Sequence, residues 1–198
     1  MTALLLSGGM DSIALLYWKR PDIALTIDYG QKCAEAEIKS SRYVCEQLKI
    51  EHHVLRIDGS VLGSGDMSNE KPHQLAPQTD WWPYRNQFLI TLAAMYLIKF
   101  ETKKILIGSV KTDRQFKDGT KKFIQLINEL ILYQEGNITV DAPALNMSTS
   151  ELILKSQIPR SLLYCAHSCH TGNIACGGCR GCQKYILAMD QINGINWN

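Results

Sequence analysis

The N-terminal residues 2–18 read TALLLSGGMDSIALLYW and set the architecture expected of the chain. Residues 2–6 form an apolar run typical of a buried parallel strand, and residues 13–18 are apolar in the manner of the first turns of a helix. Serine and glycine dominate the connection between them, which indicates a tight turn. The stretch therefore predicts a strand, a turn and a helix in immediate succession.

The turn at residues 7–12 has the composition of an anion-binding loop. Glycine lets the backbone approach a ligand closely, and the unpaired N–H groups at the start of a helix face negative charge. Ser7 and Ser12 add hydroxyl donors. The loop lacks the Gly-Lys-Ser/Thr ending of a Walker P-loop and is not Gly-x-Gly-x-x-Gly. It resembles the pyrophosphate loop of N-type ATP pyrophosphatases, and the plainer alternative is an ordinary strand–turn–helix connection.

Length and charge are those of an ordinary globular protein. The 198 residues suffice for one core, and 45% of them are hydrophobic and 20% charged. A formal net charge of +2 gives no reason to expect a broad nucleic-acid surface. No apolar run approaches the roughly 20 residues that span a bilayer, and the N-terminus shows no basic leader region. We expect one cytoplasmic domain over residues 1–198 that has no membrane segment.

Strand-like and helix-like patterns alternate along the chain. The predicted elements are strands at residues 2–6, 23–27, 53–57 and 104–108, and helices beginning at residue 13 and at 35–48, 84–100, 121–133 and 183–193. Residues 58–83 lose this periodicity and predict a long loop. The alternation favours an α/β fold with a doubly wound parallel sheet. Ligands bind at the carboxyl ends of such strands, which places residues 7–12, 28–31 and 108–113 around one cleft.

Five of the seven cysteines lie within residues 165–182. An odd number of cysteines and a reducing compartment argue against a disulfide framework. The two-residue spacers let thiolates converge on one tetrahedral metal, for which zinc is favoured and an iron–sulfur cluster stays open. The preferred ligands are Cys169, Cys176, Cys179 and Cys182, with Cys165, His167 and His170 as competitors. Four sulfur ligands predict a structural site in segment 165–184, where the metal fixes the closing helix at 183–193 and closes the sheet edge.

Further motifs recur in a specific order. They are DYGQ at residues 28–31, PYRNQFL at 83–89, AP at 142–143 followed by STSE at 148–151, and SC at 168–169 followed by CGGCRGC at 176–182. Together with the loop at residues 7–12, this set resembles the QueC family of 7-cyano-7-deazaguanine synthases over nearly the whole chain. The family's Pro-x-Arg-Asn-x-x-Phe-Leu segment is one residue shorter here.

The resemblance implies an adenine nucleotide alpha hydrolase-like fold, a homodimer, and ATP and Mg²⁺ as cofactors beside Zn²⁺. It also implies a reaction in which ATP activates the carboxylate of 7-carboxy-7-deazaguanine as an acyl-adenylate. Ammonia then attacks to give an amide, and a second ATP-driven step dehydrates the amide to the nitrile.

The resemblance further implies roles for individual residues. The catalytic set is Ser7, Asp11, Ser12 and Arg85, and the cofactor-binding set is Ser7, Gly8, Gly9, Asp11, Ser12, Asp28, Tyr29, Gln31, Arg85, Asn86 and Gly108. Arg85 is expected to face a phosphate or carboxylate with its planar guanidinium, and Asn86 to hydrogen-bond a base or ribose. The alternatives are a surface cation and an ordinary helix residue.

Three departures from the family pattern concern the second half of the reaction. Cys33 stands where the family has a histidine, residues 116–120 lack the family's Cys and Arg, and Val110 or Lys111 replaces an asparagine. These losses keep adenylation and lead to the hypothesis that the acceptor is an amine other than ammonia. QueC-like proteins of antiphage-defence operons, including the CBASS type, resemble this idea, because some attach a deazaguanine to the N-terminus of a partner protein.

Other functional classes share parts of these patterns. A tRNA-modifying pyrophosphatase would carry the same loop but also a basic extension, and nucleic acid is accordingly an unexpected partner for this chain. A catalytically inactive ATP-binding scaffold and a nucleic-acid-binding zinc ribbon are further alternatives. The pair Trp81 and Trp82 fits three roles equally: stacking on a purine-like ligand, anchoring the long loop, or contacting a partner.

Overall fold

A computed structural model describes residues 1–193 and contains a parallel sheet. Its strands are β1 Thr2–Leu5, β2 Ile23–Asp28, β3 Glu51–Arg56, β4 Lys104–Leu106 and β5 Thr139–Asp141. They pair in the order β3-β2-β1-β4-β5, every pair parallel. The chain thus builds outward from β1 in both directions, and a ligand crevice is expected where the direction changes, outside the carboxyl end of β1.

Helices cover both faces of the sheet. They are α1 Met10–Lys19, α2 Ala34–Leu48, α3 Arg85–Leu97, α4 Lys121–Leu132, α5 Thr149–Ser156, α6 Arg160–Leu163 and α7 Arg180–Asn193. The predicted α/β class with a doubly wound parallel sheet is confirmed. Among residues 1–193, no helix combines the length and the apolar character needed to cross a bilayer.

Alternate residues of β1 enter two hydrophobic cores. Ala3 pairs with Ile23 of β2 on one side and with Ile105 of β4 on the other, and its side chain lies in the core beneath α3 and α4. Leu4 points the other way into the core beneath α1, α5 and α7. Because both faces of the sheet are buried, residues 3–6 show no alternation of polar and apolar side chains, and the polar Thr2 stands only at the start of the strand.

Several element boundaries differ from the predictions. α1 begins at Met10 instead of 13, β3 begins at Glu51 instead of 53, and other ends shift by one residue. α7 begins at Arg180 instead of 183, because Cys182 and the closely packed Gly181 belong to its first turn. α3 ends at Leu97 and continues only as a 3₁₀ turn over Ile98–Phe100, which is shorter than the predicted 84–100. β4 ends at Leu106, two residues early, since only three of its residues pair with β1.

The long connection at residues 58–83 is a loop with two 3₁₀ turns, Ser60–Leu62 and Gly65–Met67. Trp82 fixes its end: the indole is 2% exposed and packs edge-on against Tyr29, with ring centroids 4.9 Å apart. Neither Trp82 nor Trp81 lines the central cleft. Of the three roles considered for the pair, Trp82 therefore performs the anchoring one.

Candidate functional site

The hydroxyl groups of two serines form hydrogen bonds within the loop between β1 and α1. Ser12 Oγ donates to the carbonyl of Gly9 at 2.9 Å and lies 3.1 Å from Ser7 Oγ. Ser7 is exposed at the mouth of the loop, and no side chain of the described residues caps the N-terminus of α1. The first N–H groups of α1 are therefore left to an anion.

Gly8 fixes the path of the loop. Its φ of +69° lies in the left-handed region, and a Cβ at this position would stand 2.5 Å from the carbonyl oxygen of Glu37. The carbonyl of Gly8 accepts a hydrogen bond from His167 N at 2.9 Å, and it lies 3.0 Å from Ser40 Oγ, whose single proton it shares with the nearer carbonyl of Cys165. Only glycine permits this close approach, so the loop is held against both α2 and the cysteine-rich segment.

The end of β4 approaches the same loop at Gly108. A Cβ there would lie 3.2 Å from Cα of Ser12, so the small residue allows the two segments to meet. Of the predicted site residues, those that line the common cleft are Ser7, Gly9, Asp11, Ser12, Tyr29, Arg85, Asn86 and Gly108. The structure thus brings together most of the set, while Gly8, Asp28 and Gln31 lie outside the lining.

Asp28 and Gln31 build the turn that carries Tyr29. Gln31 accepts from Tyr29 N at 2.8 Å and donates to the carbonyl of Ile27 at 3.2 Å. Asp28 accepts from Gly30 N at 3.1 Å, and its second oxygen lies 3.5 Å from Arg56 Nε. Both side chains are occupied by the protein, and their contribution to the cleft is to position Tyr29.

Arg85 supplies a half-buried positive charge in the cleft. It begins α3, and its Nη1 lies 2.8 Å from Sδ of Met67. Within residues 1–193 no acidic side chain forms an ion pair with this guanidinium, although it lines the cleft. Burial lowers the pKa of Arg85, but the neighbouring Tyr29 and carboxylates outweigh burial and raise it. A charged guanidinium with N–H donors that are not used by the protein is suited to bind a carboxylate or a phosphate.

Asn86 holds a second wall of the cleft. Its backbone N donates to Asp118 Oδ2 at 3.2 Å, and its Nδ2 donates to the carbonyl of Asp118 at 2.9 Å. This pair fixes the 3₁₀ turn Lys117–Gly119, whose Asp118 and Gly119 line the cleft. The side-chain amide of Asn86, which was predicted to bind a base or ribose, thus donates to another part of the protein.

Asp11 forms an ion pair with Lys184, a residue near the far end of the chain, and Asp113 pairs with the same lysine. Nζ of Lys184 lies 2.7 Å from Asp11 Oδ2 and 3.1 Å from Asp113 Oδ1. Burial raises the pKa of Asp11, and the Lys184 ammonium opposes that shift. Burial also lowers the pKa of Lys184, but the two carboxylates outweigh it and raise the value. Lys184 was not among the predicted site residues. The feature of the sequence that could have indicated it is its position one turn into the helix that follows the cysteines.

Glu37 is a second site residue that the sequence did not reveal. It lines the cleft from α2, accepts from Gln31 Nε2 at 2.8 Å and accepts from the Cys33 thiol at 3.3 Å. Burial raises the pKa of Glu37 to about 7, although Gln31, Cys33 and the charge of Arg85 oppose the shift. The carboxyl therefore changes charge near neutral pH.

The four predicted metal ligands meet in one group. Cys169, Cys176, Cys179 and Cys182 place their sulfur atoms within 4.8 Å of one another. Two of the separations, Cys176 to Cys182 and Cys169 to Cys179, are 3.9 Å. A tetrahedral site with Zn–S bonds of about 2.3 Å requires sulfur atoms about 3.8 Å apart, so the group fits zinc. Cys165 is not part of it, since its thiol donates to the carbonyl of Ser161 at 3.2 Å.

The cysteine-rich segment does not close a sheet edge, and that expectation was wrong. The edge strands are β3 and β5, whereas the segment lies over the carboxyl end of the central β1. His167 N reaches Gly8, Ser40 Oγ donates to the carbonyl of Cys165 at 2.6 Å, and Asn173 accepts from Ala36 N at 3.0 Å. The metal-binding segment is therefore a wall of the cleft.

Asp80 fastens the end of the long loop to this wall. Its two oxygens accept from Arg180 Nη1 at 3.0 and 3.1 Å, and Oδ2 lies 3.3 Å from His170 Nδ1. Burial raises the pKa of Asp80, but His170 and Arg180 outweigh burial and lower it below the ordinary value. The charged contact joins the loop of residues 58–83 to the first turn of α7.

Comparison with known proteins identifies the wider group. A model of the family described as queuosine biosynthesis protein QueC matches residues 2–192. The 7-cyano-7-deazaguanine synthase of Methanosarcina barkeri is 29% identical, with 93% of this chain and 91% of that protein aligned. The 7-cyano-7-deazaguanine synthase 1 of Desulfitobacterium hafniense is 28% identical, with 94% and 90% aligned. The NMN synthetase of Francisella tularensis shares the fold, with a TM-score of 0.52, 16% identity and coverage of 100% of this chain and 78% of the other.

Cys176→Ser should weaken anion binding at the loop of residues 7–12. It removes one of the four clustered sulfur atoms and loosens the segment that donates to Gly8. We expect a lower content of bound metal and pyrophosphate binding weaker by about tenfold, the equivalent of one hydrogen bond to a charged group. Metal analysis and calorimetry with pyrophosphate measure both quantities. The matched control is Cys165→Ser, in the same segment but outside the cluster, and unchanged pyrophosphate affinity of metal-free Cys176→Ser protein would contradict the prediction.

The raised pKa of Glu37 predicts pH-dependent stability. Because the pKa of about 7 in the folded protein exceeds the ordinary glutamate pKa of 4.5, the stabilising contribution is complete below pH 4.5 and is lost as pH rises through 7. Glu37→Gln should therefore gain about 2 kcal/mol relative to the wild type between roughly pH 5 and pH 8, measured by urea unfolding. Glu35→Gln, exposed on the same helix, is the control and should show no such change. An equal difference at both pH values would refute the assignment.

Proposed function

Because the chain belongs to the QueC family, we propose that it uses ATP to activate the carboxylate of 7-carboxy-7-deazaguanine and transfers the acyl group to an amine. The relatives are named 7-cyano-7-deazaguanine synthase, which supports a deazaguanine substrate. The observation that carries the proposal is the cleft itself. The loop at residues 7–12, whose helix N-terminus has no side-chain cap, lines one cleft together with the half-buried Arg85, which forms no ion pair with an acidic side chain among the described residues.

In the first step a substrate carboxylate oxygen attacks the α-phosphorus of ATP. The bond between the α-phosphorus and the bridging oxygen breaks, and pyrophosphate leaves with the electron pair. We propose that Ser7 and the first N–H groups of α1 hold that anion. The Ser12 hydroxyl, which donates to the carbonyl of Gly9, shapes the loop beneath them and would have to turn from that carbonyl to join them.

Asp11 is the residue best suited to hold Mg²⁺. Its Oδ1 is buried and has no hydrogen-bond partner in the described part of the chain. A carboxylate oxygen left free in this way is the kind of ligand that Mg²⁺ takes beside phosphate oxygens. When bound, Mg²⁺ would neutralise charge on the departing pyrophosphate.

Arg85 is proposed to orient the substrate acid. Its guanidinium can bind a carboxylate through two parallel hydrogen bonds, which fixes the attacking oxygen toward ATP. Tyr29 lies beside it and adds an aromatic wall. After adenylation the acyl carbon carries AMP as leaving group. An amine nitrogen then bonds to that carbon, AMP departs with its oxygen, and the amine releases a proton.

The acceptor is proposed to be an amine other than ammonia, and the reaction to stop at the amide. Phe116, Asp118 and Gly119 line the cleft in the segment that lacks the family's Cys and Arg. Asp118 forms no ion pair among residues 1–193, and its negative charge favours the approach of a cationic amine such as a protein N-terminus.

Exchange of labelled pyrophosphate into ATP tests the adenylation step. With 7-carboxy-7-deazaguanine present, we expect exchange by the wild type and a decrease of at least about 100-fold in Asp11→Asn, because the metal ligand is lost. Asp190→Asn, an exposed carboxylate on α7, is the control and should exchange normally. Exchange that requires tRNA in place of the small acid would favour a tRNA-modifying enzyme, and absence of exchange with either would favour a scaffold.

Product analysis tests the acceptor. The enzyme is incubated with ATP, 7-carboxy-7-deazaguanine and either ammonium or a peptide with a free N-terminus, and products are identified by mass spectrometry. We expect an amide on the peptide and no nitrile with ammonium. Clean conversion to 7-cyano-7-deazaguanine would overturn the proposed acceptor while leaving the adenylation step intact.

A further inference from the structure

Lys184 joins two carboxylates that come from separate parts of the chain. Asp11 belongs to the first turn of α1, and Asp113 to the 3₁₀ turn Lys111–Gln115 that follows β4. Lys184 reaches both from α7, at 2.7 and 3.1 Å. One ammonium group therefore fixes the positions of the ATP loop and of the opposite wall of the cleft.

The charges of this group are not balanced. Two carboxylates and one ammonium leave one net negative charge, and Oδ1 of Asp11 is buried without a partner among residues 1–193. The Lys184 side chain is 28% exposed, so its flexible stem can move without opening the core. A Mg²⁺ ion that binds Asp11 competes with the ammonium for the same carboxylate, because two cations in contact with it repel each other.

We propose that Lys184 is a positioning residue of the ATP site, which holds Asp11 and Asp113 in place until Mg²⁺ and the nucleotide displace it from Asp11. This inference rests on the proposed function, which makes Mg²⁺ and ATP the ligands. Once displaced, the ammonium stays within reach of the loop at residues 7–12 and adds a positive charge beside the departing pyrophosphate.

The origin of Lys184 explains its precise placement. It follows the ligand Cys182 by two residues in the first half of α7. The metal that joins the four cysteines therefore also fixes the start of the helix from which the lysine extends. In this arrangement the metal takes no part in the reaction but determines where the counter-charge of Asp11 lies.

The variant Lys184→Met distinguishes this role from a purely structural one, because the proposal predicts that Mg²⁺ affinity rises while the rate of pyrophosphate exchange falls. Mg²⁺ should bind the nucleotide-free variant at least about tenfold more tightly than the wild type, since the competing cation is gone. Pyrophosphate exchange at saturating Mg²⁺ should be at least about tenfold slower, since a positive charge beside the leaving group is lost. Lys184→Arg should restore part of the exchange rate.

Calorimetric titration with MgCl₂ and the exchange assay measure these two quantities, and zinc content and thermal unfolding verify that the variants are folded. Lys155→Met, exposed on α5, is the matched control and should change neither. Lys184→Gln serves as a second variant with the same expected outcome. Equal or weaker Mg²⁺ binding by both Lys184 variants would overturn the proposal. If the wild type shows no exchange, the proposed function fails, and the Mg²⁺ titration still decides the role of Lys184.

Discussion

The carbonyl group of Gly8 is the contact on which the site depends. It accepts a hydrogen bond from His167 of the cysteine-rich segment, and the hydroxyl of Ser40 on α2 lies between it and the carbonyl of Cys165 and shares its proton with both. The left-handed backbone of Gly8, with the carbonyl of Glu37 directly behind it, makes this position inaccessible to a side chain. A loop that would otherwise be a flexible turn after β1 is thereby fixed by two neighbouring segments, and its N–H groups are organised before any ligand arrives.

The same cysteine-rich wall supplies cations to the carboxylates of the cleft. Arg180 binds Asp80, and Lys184 binds Asp11 and Asp113, so two cations of α7 meet carboxylates from three other segments. A metal held by the four cysteines would have no position left for water, and its effect would be to hold this helix in place. Arg85 is not part of this pairing, which is why we assign it to a ligand in the proposed function.

The features that the sequence predicted correctly are those set by residues close together in the chain. The apolar run before Ser7 and the two-residue cysteine spacers specify a strand and a metal site because neighbours in sequence are neighbours in space. Lys184 and Glu37 reach the cleft only through the packing of α7 and α2 against the loop, which no short pattern encodes. The location of the cysteine segment was mispredicted for the same reason. Its contact with Gly8 joins residues that lie far apart in the chain.

The departures from the family pattern do not carry equal weight once their positions are known. Cys33 is buried, lies outside the cleft lining and donates its thiol to Glu37, so the missing histidine acts on the cleft only through that carboxyl. The segment at residues 116–119 lines the cleft directly, and Asn86 holds it there through Asp118. The segment is not free to vary at every position: Phe116 is buried beneath Arg180, and a side chain at Gly119 would clash with the carbonyl oxygen of Asp113. Lys117 and Asp118 are the positions where a substitution changes the chemistry of this wall while the packing against Asp113 is kept.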